Sequence, residues 1–291
     1  MARNPVSKRP AVTVNPWFLL VLAVYAFSGQ ARLMAMAFAV VTLHELAHVV
    51  MAQSFGLPVE RIEIWPFGGF AQIPGLEAQD PYVETMVVMV GPFQHFLLAA
   101  GAWGLHQAGI LHGMLLQDFI TLNLGLGLVN LLPVAPLDGG RLARIFWSRK
   151  IGYGLAEKRV KKWGQVLAIG LMALALATFL WGRPQLNIAI FAFFLWWGAS
   201  RRAPLARFWA MRDLMLRKDV LSGRALWILE DLAVRSDTPV SEVLDMLRPM
   251  RYYRVLVVTQ ELQKMGTLYE EDLLQAFQEY GPHVAVGRLI H

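Results

Sequence analysis

The chain has 291 residues, 56% of them hydrophobic and 16% charged, against roughly 45 to 50% apolar residues in soluble globular domains. That balance points to a membrane protein, so the net charge of +6 is read as topology rather than as a nucleic-acid surface, and no direct nucleic-acid partner is expected. There is no cysteine, which excludes disulfides and leaves nitrogen and oxygen as the donors for any metal site.

Six apolar stretches approach the ~20 residues of a spanning helix: Val12 to Phe27, Leu33 to Phe55, Glu84 to Leu105, Met114 to Leu132, Gln165 to Trp181 and Gln185 to Gly198. Lys8 and Arg9 before the first, with Ala26 and Ser28 at its end, also fit a cleaved secretory signal. Six spans with both termini in the cytosol place 25 of the 27 basic residues inside and only Arg32 and Arg183 outside, as the positive-inside rule requires.

Within the second stretch lies His44-Glu45-Leu46-Ala47-His48. The i, i+4 spacing puts both imidazoles on one helix face, where they can share a metal ion, while Glu45 can reach a water beside it as general base. Ionisable groups inside an apolar span are costly unless paired or metal-bound. Two hydrogen-bonded histidines with a glutamate partner remain the plain alternative.

Leu57 to Gln72 is rich in Val, Ile, Phe and Trp around Phe67-Gly68-Gly69, which reads as a strand or hairpin whose edge, at Ile62 to Trp65, binds an extended peptide by strand addition. His95 in the third stretch is read as a satisfied interior group.

A catalytic zinc needs a third protein ligand, and the candidate is Asp138, in Asn130-Leu131-Leu132-Pro133-Val134-Ala135-Pro136-Leu137-Asp138-Gly139-Gly140. Pro133 and Pro136 end the helix, and Gly139-Gly140 permits close backbone approach, an unwinding that membranes tolerate where protein or water surrounds it. Read plainly, the same residues are a turn with an exposed aspartate.

From Arg201 the composition turns polar. The expected division is a transmembrane domain over 1–200 and a cytosolic linker and small α/β domain over 201–291. The latter shows a helix at Val240 to Leu247, strands at Tyr253 to Val258 and Lys264 to Leu268, and a helix at Glu270 to Phe277.

His44 to His48 together with Asn130 to Gly140 resemble the two signature motifs of the site-2 protease family of intramembrane metalloproteases. Pro66-Phe67-Gly68-Gly69 and Gly91-Pro92-Phe93-Gln94-His95 are also similar to family sequence. The resemblance implies that His44, His48 and Asp138 bind one zinc ion, that Glu45 activates water, and that Asn130 lies at the catalytic centre, steadying substrate or oxyanion. The expected fold is a polytopic α-helical membrane protein of about six transmembrane helices with a small cytosolic α/β domain. The length and plan resemble family members that mature sigma-factor precursors in endospore-forming bacteria. That implies a membrane-associated precursor as substrate, membrane inhibitor proteins as partners, the membrane around the forespore as location, and an active site facing the mother cell. It also implies that the C-terminal domain is like the cystathionine-beta-synthase (CBS) module, which binds adenine nucleotides such as ATP. In Gly266-Thr267-Leu268-Tyr269-Glu270-Glu271-Asp272 the module's aspartate is kept as Asp272, a nucleotide contact, but Tyr269 replaces its Ser or Thr. A single such motif suggests a homo-oligomer. Two rival functions stay open: a metal or proton-coupled transporter, which would use membrane His, Glu and Asp residues as an ion path, and a membrane-tethered nucleotide sensor.

Overall fold

The computed structural model describes residues 11–14, 31–65, 68–74, 76, 79–183, 185–200, 229–248 and 251–290. Two compact units form, Met1–Leu142 with Trp163–Ala199, and Ala143–Lys162 with Ser200–His291.

In the first unit a three-stranded sheet has the order β1 (Ala11–Val14), β2 (Arg61–Trp65), β3 (Gly68–Gln72). β1 pairs with β2 in parallel, and β2 with β3 as an antiparallel hairpin, Ile64 opposite Gly69. The expected hairpin is present. The expected edge is corrected: Ile62 to Trp65 belong to the central strand, Ile62 to Ile64 pairing with both neighbours and Trp65 with β3, and β3 is an edge. Val12 to Val14, drawn as the start of a first span, are strand, and the remainder of that span lies outside the described residues, as do Pro66 and Phe67.

The helices are α1 (Ala31–Ser54), α2 (Pro81–Gln107), α3 (Met114–Asn130), α4 (Asp138–Ile151), α5 (Tyr153–Leu180) and α6 (Leu186–Ser200). Among the described residues, α1, α2 and α5 are long and apolar enough to cross a bilayer. The apolar helices α3 and α6 have 17 and 15 residues, or ~25 and ~22 Å at 1.5 Å per residue, against a hydrocarbon core of ~30 Å. α2 starts cleanly because Pro81 needs no backbone donor and the Asp80 side chain accepts from the Tyr82 amide at 2.8 Å. In α1 the buried residues Val40, His44, His48 and Ala52 recur every fourth position, whereas Leu43, Leu46 and Val50 are exposed. Exposed Phe93, Trp103 and Phe179 continue that pattern on α2 and α5, and so much outward apolar surface suits lipid rather than water.

Between α3 and α4 the chain turns tightly. A Cβ added at Gly139 would collide with the Leu131 and Leu132 carbonyls, and one at Gly140 with the Val134 carbonyl, 2.5 Å away. Only glycine lets the start of α4 fold back onto the preceding turn. Val134 and Leu137 of that turn pack with Ala168 of α5 and Leu195 of α6. Against α1 and α2 the hairpin buries Ala71 with Val49, Ala52, Leu57, Val59 and Val87.

In the second unit β4 (Leu229–Arg235) pairs in parallel with β5 (Tyr252–Val258), which pairs antiparallel with β6 (Lys264–Tyr269). Helices α7 (Val240–Met246) and α8 (Glu270–Tyr280) cover the sheet, around a core that includes Val243, Val255, Val257 and Leu273. The expected helices and strands of this region are present within a few residues, and β4 is additional. Ala143–Lys162 belongs to this unit: Lys158 pairs with Asp245 at 2.6 Å, and the Tyr153 amide donates to the Leu247 carbonyl at 3.2 Å. The charged linker 201–228 lies outside the described residues.

Candidate metal centre

His44 and His48 sit one turn apart on α1, and Asp138 opens α4. Asp138 Oδ2 lies 3.0 Å from His44 Nε2 and 3.2 Å from His48 Nε2, and the two Nε2 atoms are 3.0 Å apart. All three residues are buried. Among the described residues, they are the one group of such side chains whose ligand atoms converge.

Two imidazole lone pairs and a carboxylate oxygen facing each other at this range repel unless a proton or cation sits among them. A tetrahedral zinc with bonds of ~2.0–2.1 Å separates its donors by ~3.3 Å, so the triangle matches the spacing that zinc imposes. Nitrogen and oxygen donors alone are the set the cysteine-free sequence allows. His48 is already oriented for this, since its Nδ1 donates to the Val87 carbonyl at 2.7 Å and so leaves Nε2 as the lone pair. α2 also makes room: a Cβ on Gly91 would lie 2.5 Å from both His44 Cε1 and His48 Nε2.

A small cavity of about 60 Å³ adjoins the cluster, lined by Glu45, His48, Ala71, Ile73, Val87, Pro136, Asp138 and Arg141. Glu45 is buried, 8% exposed, and stands on this wall, where a general base can reach a water held beside the donors. Ala71 belongs to β3 and Ile73 follows it, so the end of this edge strand contributes to the same cavity wall as Glu45.

Asn130 is the last residue of α3, half-buried, and is not among the lining residues. Arg141, one turn into α4, is among them; the reading of the sequence passed over it, although its i+3 spacing from Asp138 places both on one helix face. Asp272 lies in the other unit, where its Oδ2 accepts from the Tyr269 amide at 2.7 Å and so satisfies a backbone donor at the start of α8. His95 is only partly satisfied: Nδ1 is 3.1 Å from Asn123 Oδ1, while Nε2 is buried without a partner among the described residues. That corrects its reading as a satisfied interior group, since one ring nitrogen makes no hydrogen bond.

Residues 32–109 and 101–175 match peptidase family M50. The chain is 29% identical over 147 residues to Stage IV sporulation protein FB of Bacillus subtilis, covering 50% of this chain and 51% of that protein. It is 28% identical over 233 residues to a zinc metalloprotease of Methanocaldococcus jannaschii, covering 78% of this chain and 64% of the relative. It thus spans about half the length of the first and just under two thirds of the second. Among solved structures, the site-2 protease from Methanocaldococcus jannaschii is similar, with a TM-score of 0.56 and 26% identity, over 67% of this chain and 94% of that one.

Proposed function

The chain belongs to peptidase family M50, the site-2 protease family, and from that premise we propose that it is a zinc-dependent endopeptidase that cleaves its substrate in or beside a membrane. The convergence of His44, His48 and Asp138 beside a cavity walled by Glu45 carries this reading. One bound zinc ion would supply Lewis-acid polarisation and a more acidic water. His44, His48 and Asp138 are the residues that would hold it. Glu45 takes the proton from the attacking water, whose oxygen adds to the scissile carbonyl carbon. As the carbon–nitrogen bond breaks, the same carboxyl returns the proton to the departing amine. Arg141 brings a positive charge to the wall, where it favours negative charge developing on the substrate carbonyl. Burial of the site between α1, α2 and α4 restricts water to the small cavity, which strengthens each of these electrostatic contacts.

The substrate enters, on this reading, as an extended strand beside β3, because main-chain pairing presents a peptide bond to the site without selecting a sequence. We take the substrate to be a membrane-associated precursor carrying a removable pro-segment, with a sigma-factor precursor as the specific form; the likeness to a sporulation protein supports it. The charge pattern supports six spans with a cytosolic site and cytosolic termini. A membrane around the forespore, membrane inhibitor proteins, a homo-oligomer and adenine-nucleotide control through a CBS-like C-terminal domain complete the proposal.

The test is cleavage of a candidate precursor by purified parent protein in detergent or liposomes, beside Glu45→Gln. Zinc-dependent release of a defined fragment by the parent alone is expected. A zinc-loaded parent that cleaves no membrane-associated precursor, or a Glu45→Gln protein that cleaves as the parent does, overturns the reading.

A further inference from the structure

His95 is fully buried on α2, yet the chemistry above does not use it. Its protonation pattern is settled by Asn123 of α3. The Asn123 Nδ2 donates to the Phe119 carbonyl at 2.9 Å, which turns Oδ1 toward His95 Nδ1, 3.1 Å away. An amide oxygen can only accept, so the hydrogen of neutral His95 is on Nδ1 and its Nε2 is a bare lone pair.

His44 has the opposite need. Its Nε2 faces Asp138 Oδ2 and His48 Nε2, each at 3.0 Å, so a metal-holding His44 carries its hydrogen on Nδ1. Among the described residues, His44 Nδ1 and His95 Nε2 are both buried without a hydrogen-bond partner. One is a donor lacking an acceptor and the other an acceptor lacking a donor. Their rings stack, with centroids 4.9 Å apart and planes at 23°. A histidine and an asparagine that are both 0% exposed in membrane-spanning surroundings are costly as packing alone.

We infer that His95 is the positioning residue for His44: its Nε2 accepts, through one shared water, the hydrogen bond that the Nδ1–H of the metal-binding imidazole offers, and Asn123 holds His95 in the tautomer this requires. Val87 gives His48 its outer partner through a backbone carbonyl, and His95 gives His44 the equivalent. Three helices are thereby tied to one ligand, Asn123 from α3, His95 from α2 and His44 from α1. Such outer partners fix ring orientation and raise ligand basicity. The inference rests on the metal-site reading and deepens it.

The test measures zinc affinity by chelator competition, and the visible spectrum of the cobalt-substituted protein, for purified full-length parent, His95→Phe, His95→Gln and Asn123→Leu. Phe keeps the ring volume and the stacking but cannot accept a hydrogen bond. His95→Phe should bind zinc about 10- to 100-fold more weakly and change the cobalt spectrum, with thermal unfolding in detergent near that of the parent. His95→Gln, which retains an acceptor oxygen, should recover part of the affinity, and Asn123→Leu should weaken it in the same direction. A folded His95→Phe protein with parental zinc affinity and cobalt spectrum overturns the inference. Should His95→Phe fail to fold, Asn123→Leu decides, and parental affinity there overturns it. His44→Ala in the same assay separates the two ideas, because a parent whose zinc does not depend on His44 refutes the metal site itself.

Discussion

His48 Nδ1 donates to the carbonyl oxygen of Val87 at 2.7 Å. A carbonyl accepts only, so this bond sets the tautomer of His48 and aims its Nε2 lone pair at Asp138. One turn further along α2 from Val87, Gly91 leaves the space that the two imidazoles fill. α2 thus orients one ligand and clears room for both.

Glu45→Gln should retain zinc and lose turnover by about 10²- to 10⁴-fold, since an amide cannot take the water proton but changes neither imidazole. Metal content and cleavage rate, measured on the same purified sample, should separate.

Asp138→Asn should lose zinc itself, by more than the roughly 10- to 100-fold typical of an outer-partner change, because a neutral amide is a far weaker ligand than a carboxylate. Chelator competition reads this directly, and parental affinity would show that another residue completes the site.

Gly91→Ala should impair both zinc binding and cleavage, since the new Cβ would stand 2.5 Å from His44 Cε1 and His48 Nε2. Gly101→Ala, on the same helix with nothing within 4 Å of the added atom, is the matched control and should be neutral or stabilising by up to ~1 kcal/mol. Equal effects of the two would remove Gly91 from the site.

Proline placed in turn at Phe70 and Ala71 should identify the outward-facing amide of β3, because neighbouring strand residues point their N–H groups to opposite sides. The substitution that leaves zinc affinity intact should raise KM for an extended peptide substrate. If neither position separates zinc binding from KM, β3 does not dock the substrate.

Asp272→Ala should lower the stability of the C-terminal unit by ~0.5–2 kcal/mol, the usual worth of a helix cap, since its carboxylate accepts from the Tyr269 amide. Thermal unfolding followed in that unit checks this, and zinc content should not change.

Glu230 and Asp231 explain why β4 escaped the reading of the sequence. Two acidic residues interrupt its apolar alternation, and what makes a strand tolerable there is distant in the chain: Arg254 pairs with Asp231 at 2.7 Å, and Arg251 with Glu230 at 3.2 Å. The guanidinium beside Asp231 also holds its carboxyl below the usual carboxylate range. β5, by contrast, alternates buried and half-buried residues along Tyr252–Val258 and was legible because period-two patterning is a local property.

The sequence alone determined the apolar helices α1, α2, α3 and α6 to within a few residues and pointed to the candidate metal donors. Helix length follows from apolar runs, and the i, i+4 spacing of His44 and His48 fixes their common face whatever surrounds them. Asp138 was legible because a zinc site needs a third oxygen or nitrogen donor and the proline-glycine turn marked where one could come close. Only the tertiary structure decided that Ile62 to Trp65 lie inside a sheet with β3 at its edge, that Arg141 rather than Asn130 stands on the cavity wall, and that His95 stacks on His44. Each of these depends on which strand or helix lies beside which, and that is set by pairing and packing among residues far apart in sequence, where no local pattern carries the information.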